Sequence, residues 1–288
     1  MSDLAGPLAG LSEIAENYDA LLCDVWGVVH NGVAAYPGAV AALRAYRRAG
    51  GRVVLITNAP RPSAPIVGML DALGVPRDAY DEIISSGDTC RVMIAPYRGR
   101  IVHHFGPALI DDALYEGLGV IRGPAETAEV IVCTDMPFDD DTPDLYEADL
   151  ELWLARGLPM ICANPDKFVE IGDKLVYCAG AMADIYAARG GEVLMAGKPY
   201  RPIYDEAKKL IESAAGHALE TSRILCIGDS VRTDAVGAAA FGADLLFITG
   251  SIHAADLDAF GTPDAAAVRA LVEPSGARLR GFMSRLAW

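Results

Sequence analysis

Basic side chains are scarce in this chain. Its 288 residues hold 24 Lys and Arg against 39 Asp and Glu, a formal net charge of −15. A surface of that sign repels nucleic-acid backbones and anionic lipid, and no basic run offsets it, so neither is an expected partner. No uninterrupted apolar run approaches the length of a membrane span. Residues 1–20 contain acids but no Lys or Arg, which argues against the charged start of a secretory leader. The six cysteines (Cys23, Cys90, Cys133, Cys162, Cys178, Cys226) show no C-x-x-C spacing, so a zinc site or disulfide framework is not expected. Most lie in apolar strand-like runs, where a reduced thiol is a small hydrophobe, and the cytoplasm is the expected compartment. No G-x-G-x-x-G opens a helix after a strand and no G-x-S-x-G occurs, so dinucleotide binding and a serine-hydrolase elbow lack support. A phosphate-binding Walker loop around Gly197-Lys198 fails too, because Glu192 and Pro199 stand where Gly and Ser or Thr are needed.

What is present is an α/β pattern. Hydrophobic residues make up 52% and charged residues 22%, enough for a sizeable core in one large domain or two modest ones. Residues Ala20 to Val29 read as a strand buried on both faces, interrupted by one charge, Asp24. A helix follows Pro37 and stops at Gly50; a second buried strand runs from Arg52 to Asn58; a second helix, with Ile66, Met69, Leu70 and Leu73 on one face, ends at Gly74; a short strand covers Glu82 to Ser85. Strand and helix alternating in this way predict a parallel sheet with helical crossovers. The same grammar returns with a helix opened by Pro202, the strand Arg223 to Asp229, an Ala-rich helix and the strand Ala243 to Ile248. Between these halves, residues 98–192 hold strand candidates (Ile101 to Phe105, Val130 to Thr134, Pro159 to Ala163) and helix candidates (Pro107 to Glu116, Pro143 to Ala155) of their own. The expected organisation is a core of residues 1–97 and 193–288 with an inserted α/β domain at 98–192. The apolar segment Leu279 to Trp288 could dock on the core or on another subunit; the pattern does not choose.

In an open parallel sheet, ligands bind beyond the carboxyl ends of the strands. Asp24, Thr57 and Asp229 all stand at such ends. Carboxylates sharing a buried site repel one another unless a cation joins them, and Mg²⁺ suits carboxylates better than any His/Cys metal does. Lys198 lies where an apolar run meets a helix start. It reads either as an exposed lysine at a helix start or as the partner of a specific anion, and because cations are disfavoured at helix starts the second reading is favoured.

Asp24-x-x-Gly27-Val28, a strand ending Thr57-Asn58, Gly197-Lys198-Pro199, and Gly228-Asp229-Ser230-x-x-x-Asp234 resemble, in order and spacing, the four motifs of the haloacid dehalogenase superfamily. The insertion, with Ala163-Asn164-Pro165-Asp166 and Gly180-Ala181-Met182, is similar to the cap of its NagD-like subfamily (class IIA), which includes 4-nitrophenyl, sugar and pyridoxal phosphatases. The resemblance implies a doubly wound, Rossmann-like core with a large α/β cap, and a Mg²⁺-dependent phosphatase of small phosphorylated metabolites, sugar-like or nucleotide-like. It implies Asp24 as the nucleophile that forms an aspartyl-phosphate, Thr57 and the Asn58 N–H as phosphate ligands, and Lys198 as the cation between Asp24 and phosphate. It further implies Asp24, Asp229 and the Trp26 backbone carbonyl on the metal, Asp234 in support, and leaves a homodimer open.

One position departs from that pattern. The family's phosphatases carry a second Asp two residues after the nucleophile, as general acid and base; here it is Trp26, whose indole can neither give nor take that proton. Three outcomes stand side by side: a leaving group that needs no acid, a substitute such as His30 or Asn31, or a protein that binds phosphate compounds with slow turnover or none. Trp26 could also wall the pocket or stack on substrate. Dehalogenation on the same core is a further alternative, disfavoured by Asp229. Asp135 and Asp166, at turns in the insertion, are candidate substrate contacts, while His103 and His104 read as ordinary strand residues.

Overall fold

The computed structural model describes residues 6–107, 112–171, 174–255, 257 and 263–288. In chain order the strands are β1 (Gly6–Pro7), β2 (Ala20–Asp24), β3 (Arg52–Thr57), β4 (Glu82–Ser85), β5 (Ile101–Phe105), β6 (Ile121–Arg122), β7 (Val130–Cys133), β8 (Met160–Cys162), β9 (Phe168–Ile171), β10 (Lys174–Tyr177), β11 (Val193–Met195), β12 (Ile224–Gly228), β13 (Asp244–Ile248) and β14 (Arg278–Met283). The helices are α1 (Pro37–Arg48), α2 (Ser63–Leu73), α3 (Ser86–Ile94), α4 (Glu147–Arg156), α5 (Ala179–Ala188), α6 (Arg201–Ala215), α7 (Val236–Phe241) and α8 (Ala265–Val272). The expected helix Pro107 to Glu116 falls partly outside the described residues; its described part is a single turn at Asp112–Leu114. Among the described residues, no helix is long and apolar enough to cross a membrane.

The chain divides into two compact units. The first comprises Met1–Thr57, Ala64–Ile84 and Tyr204–Trp288 and is built on a seven-stranded sheet ordered β1-β14-β13-β12-β2-β3-β4. The pairings β2/β3, β2/β12, β12/β13, β13/β14 and β14/β1 are all parallel. From β2 the chain steps outward one way through β3 and β4, and from β12 the other way through β13 and β14. The order therefore reverses between β2 and β12, where an open α/β sheet leaves its crevice for ligands. Every residue of β2 and β12 is buried, as continuous apolar runs between two helical layers should be.

β2 is shorter than its apolar run. It ends at Asp24, and Val25 to His30 form a turn in which the Val25 carbonyl accepts from the Val29 and His30 N–H groups (2.8 and 3.3 Å). Gly27 takes φ +83° there. Val25, Val28 and Val29 are buried all the same. Burial, which hydropathy reports, continues past the point where extended backbone stops. The C-terminal segment is resolved in favour of the core: Arg278–Met283 is a strand of the main sheet, paired on both sides.

The second unit comprises Asn58–Ser63 and Ser85–Ile203. Its five-stranded sheet runs β11-β8-β7-β5-β6, and a β9/β10 hairpin stands beside it in sequence. Alternation along β7 sends Ile131 and Cys133 to one face, packed with Trp153 of α4 and with Met182 and Tyr186 of α5. Val130 and Val132 face the other side, packed with Cys90 and Ile94 of α3. Helix α3 and strand β11 thus belong with this sheet, so the unit is wider than the 98–192 segment drawn from the sequence.

Candidate active site

Parallel register decides what meets at the switch point. Cys23 pairs with Ile227 and Asp24 with Ile56, so Asp24, Thr57 and Asp229 emerge at one edge of the sheet. Asp24, Asp229 and Asp234 each bring a carboxylate oxygen within 4.8 Å of the others, and all three are buried. Asp24 Oδ1 accepts the Val25 N–H at 2.7 Å, which fixes the plane of the carboxylate. Asp234 Oδ2 accepts the N–H groups of Asp229 and Ser230 (3.2 and 3.1 Å), tying down the turn that aims Asp229. Asp234 itself comes from a π-helical turn, Val231–Ala235, capped by Ser230 Oγ. Wider turns of this kind re-aim one side chain inside an otherwise regular helix.

Two glycines leave room for this cluster. A Cβ on Gly27 would overlap Asp229 Oδ2 and Ser251 Oγ, and one on Gly228 would overlap the Asp234 carboxyl. An oxygen-only donor set, packed closely enough for its charges to repel, fits a hard divalent cation.

The turn after β2 holds the departing residue. Trp26 is 55% exposed. Its indole meets the His30 ring edge-on, centroids 5.3 Å apart, and its benzo end bears on Gly32, where a Cβ would overlap Cη2. His30 is 1% exposed. Its Nδ1 accepts the Gly32 N–H at 2.9 Å, so the neutral ring carries its proton on Nε2, an atom with no hydrogen-bond partner among the described residues. Burial pushes the His30 pKa below the ordinary histidine value. A neutral, enclosed ring with its basic nitrogen occupied is a poor substitute acid or base. Asn31 is engaged as well: its Oδ1 accepts the N–H groups of Val33 and Ala34 (3.0 and 2.9 Å). Both candidates for a replacement group are therefore spent on shaping the turn.

In the second unit, Lys198 is 3% exposed and Asn58 7%. The Lys198 N–H donates to Asn58 Oδ1 at 2.7 Å, and Asn58 Nδ2 donates back to the Lys198 carbonyl at 3.1 Å. The same amide donates to Asp166 Oδ1 at 3.2 Å. The Asn58 side chain thus clamps the backbone of Lys198, a role that sequence reasoning missed when it looked only to the Asn58 N–H. A Cβ on Gly197 would meet Pro165 Cδ at 2.7 Å and Ser86 Oγ at 2.8 Å, so the clamp also needs glycine before the lysine. Asp135 and Asp166 follow the carboxyl ends of β7 and β8; Asp135 Oδ1 accepts the Met136 N–H at 3.1 Å, and Asp166 N–H donates to Asn164 Oδ1 at 3.1 Å. Of the two expected strand histidines, His104 Nδ1 lies 2.7 Å from the Tyr115 hydroxyl and His103 Nδ1 lies 3.2 Å from the Gly123 carbonyl.

Comparison with known proteins gives this geometry a family. Residues 21–119 match the model of haloacid dehalogenase-like hydrolases, and residues 195–273 match a second, HAD-hydrolase-like model. The chain is 26% identical over 249 residues, 85% of its length and 67% of the other's, to a D-glycerol 3-phosphate phosphatase of Mycobacterium tuberculosis. It is 26% identical over 252 residues to the sugar-phosphatase AraL of Bacillus subtilis, covering 85% of this chain and 88% of that one. A crystal structure of a haloacid dehalogenase-like hydrolase from Brucella suis superposes with a TM-score of 0.83 at 43% identity, over 96% of this chain and 98% of that one. A likeness that close over the full length, with both motif-bearing segments matched, means that the chain belongs to the haloacid dehalogenase-like hydrolase family.

Proposed function

We propose that this protein is a Mg²⁺-dependent phosphatase of small phosphorylated metabolites, sugar phosphates above all, working through Asp24. The observation that carries the reading is the buried Asp24–Asp229–Asp234 cluster at the switch point of the main sheet. The phosphatase names of the glycerol-phosphate and sugar-phosphate relatives and the NagD-like motif pattern support the substrate class. Asp24, Asp229 and the Trp26 carbonyl would hold the metal, with Asp234 supporting them. Bound there, Mg²⁺ would offset negative charge on the carboxylates and phosphate.

Asp24, its plane set by the Val25 N–H, attacks phosphorus in line. The bond from phosphorus to the ester oxygen breaks as the bond to the carboxylate forms, and the sugar leaves as its alcohol once that oxygen has taken a proton. Water then attacks the aspartyl-phosphate, its proton passes to solvent or a nearby base, and inorganic phosphate departs with Asp24 restored. Thr57 and the Asn58 N–H take phosphate oxygens, and Lys198, its backbone fixed by the Asn58 side chain, supplies the positive charge. The leaving oxygen gains nothing from Trp26, and proton transfer of that kind is typically worth about 10²–10⁴-fold. Turnover is accordingly slow or restricted to good leaving groups. Trp26 also favours a second reading, a phosphate-compound binder without turnover.

Phosphate release from a panel of sugar and polyol phosphates decides between them. Release that stops in EDTA, returns with Mg²⁺ and falls below about a thousandth in Asp24→Asn fits a nucleophilic Asp24. Activity retained in Asp24→Asn removes Asp24 from the mechanism. Ligand-dependent thermal stabilisation with no release across the panel selects the binder.

A further inference from the structure

Trp26 combines two properties that rarely coincide. It is more than half exposed, at 55%, yet it is held in place. Its benzo end bears on Gly32, which has φ +86° and no Cβ to push the ring away. Its ring and that of His30 meet in a T-shaped contact, and His30 is itself pinned by the Gly32 N–H at 2.9 Å. Backbone bridges join Trp26 to His30 and His30 to Ala35, and Asn31 Oδ1 closes the tip of the loop. The indole is therefore preorganised before any ligand arrives, which lowers the ordering cost of using it. It stands two residues beyond Asp24, on the turn that leaves the carboxyl end of β2.

From this arrangement we infer that Trp26 is a specificity-determining residue, a flat apolar platform that favours phosphorylated sugars in closed-ring form over open-chain polyol phosphates. The inference rests on the proposed phosphatase reading and deepens it. A saturated sugar ring presents a face of C–H groups wide enough to cover an indole, with hydroxyls at its rim left for polar contacts. A three-carbon chain covers little of that surface. Aromatic contacts of this size contribute on the order of tenfold in affinity.

The test measures binding, so it does not depend on turnover. Glucose 6-phosphate and glycerol 3-phosphate are titrated calorimetrically, with Mg²⁺, into the Asp24→Asn protein and into the same protein carrying Trp26→Ala or Trp26→Phe. The expected result is a preference for the ring compound that shrinks about tenfold in Trp26→Ala and is largely kept in Trp26→Phe. In active protein the same loss appears as a raised KM for glucose 6-phosphate rather than a lowered kcat. An unchanged affinity ratio, an equal loss for both compounds, or no binding of glucose 6-phosphate overturns the inference. Absence of phosphate release from the unsubstituted protein across the panel overturns the phosphatase reading instead, and the two failures are separable.

Discussion

At the scale of single residues, Gly27 carries more of the site than its lack of a side chain suggests. Its φ of +83° lies in the left-handed region, and the volume a Cβ would take is filled by Asp229 Oδ2 and Ser251 Oγ. Gly27→Ala should therefore lower stability by roughly 1–3 kcal/mol through strain alone. It should also weaken Mg²⁺ binding, because Asp229 must shift to make room. Urea unfolding together with Mg²⁺ titration calorimetry checks both; a variant that loses stability but binds Mg²⁺ as before would show that Asp229 is not a ligand. Asp24 and Asp229 were legible in the sequence because a charge inside an apolar strand is conspicuous. The Asn58 clamp was not, since its partner Lys198 lies 140 residues away and nothing local marks the pair. His30 was misleading for a related reason: a histidine beside Asn31-Gly32 looks exposed, and only the fold reveals that it is 1% accessible.

At the scale of elements, register is what turns separate strands into a site. Slipping β2 against β12 by one residue would move Asp24 to the opposite face of the sheet. At the amino ends of these strands, Arg223 grips Asp19 through two hydrogen bonds of 2.9 and 2.6 Å, and the Asp19 N–H donates to the Arg223 carbonyl at 2.8 Å. The guanidinium holds the Asp19 carboxyl below its ordinary pKa. A lowered folded-state pKa adds stability at pH values above the unfolded carboxylate range, and that addition disappears as pH falls through the folded value. Both side chains are about two-fifths exposed, so the gain is at most about 1 kcal/mol. Asp19→Asn should thus be slightly less stable than the parent near neutrality and indistinguishable from it in strong acid, as read from urea midpoints across pH; a gap that widens in acid would refute the assignment. The alternation of strands and helices in both halves was readable from hydropathy. β14 was not recognised as a strand, because Arg278 and Arg280 break its apolar pattern; Arg278 is occupied by the Asp244 carboxylate at 2.8 Å.

At the scale of the whole molecule, all six cysteines are buried and none is joined in a disulfide. Burial pushes Cys162 up to about 12 and raises Cys133 and Cys178 as well. Thiolate, the reactive form, is then negligible near neutrality. A disulfide reagent such as DTNB should leave the native protein unmodified over minutes and react with all thiols only after denaturant is added. Rapid labelling of any cysteine before denaturation would contradict that burial.

The outermost position of the main sheet has a consequence for how the chain comes together during synthesis. Gly6 pairs with Gly281, and within the sheet β1 has β14 as its neighbour. At roughly 5–20 residues per second on the ribosome, residue 6 waits on the order of 15–55 s before its hydrogen-bonding partner exists. For that interval β1 is an unclaimed edge, and whatever shields it in the cell acts on a nascent polypeptide that has Asp24 from early on but lacks Asp229 and Asp234 for most of the wait.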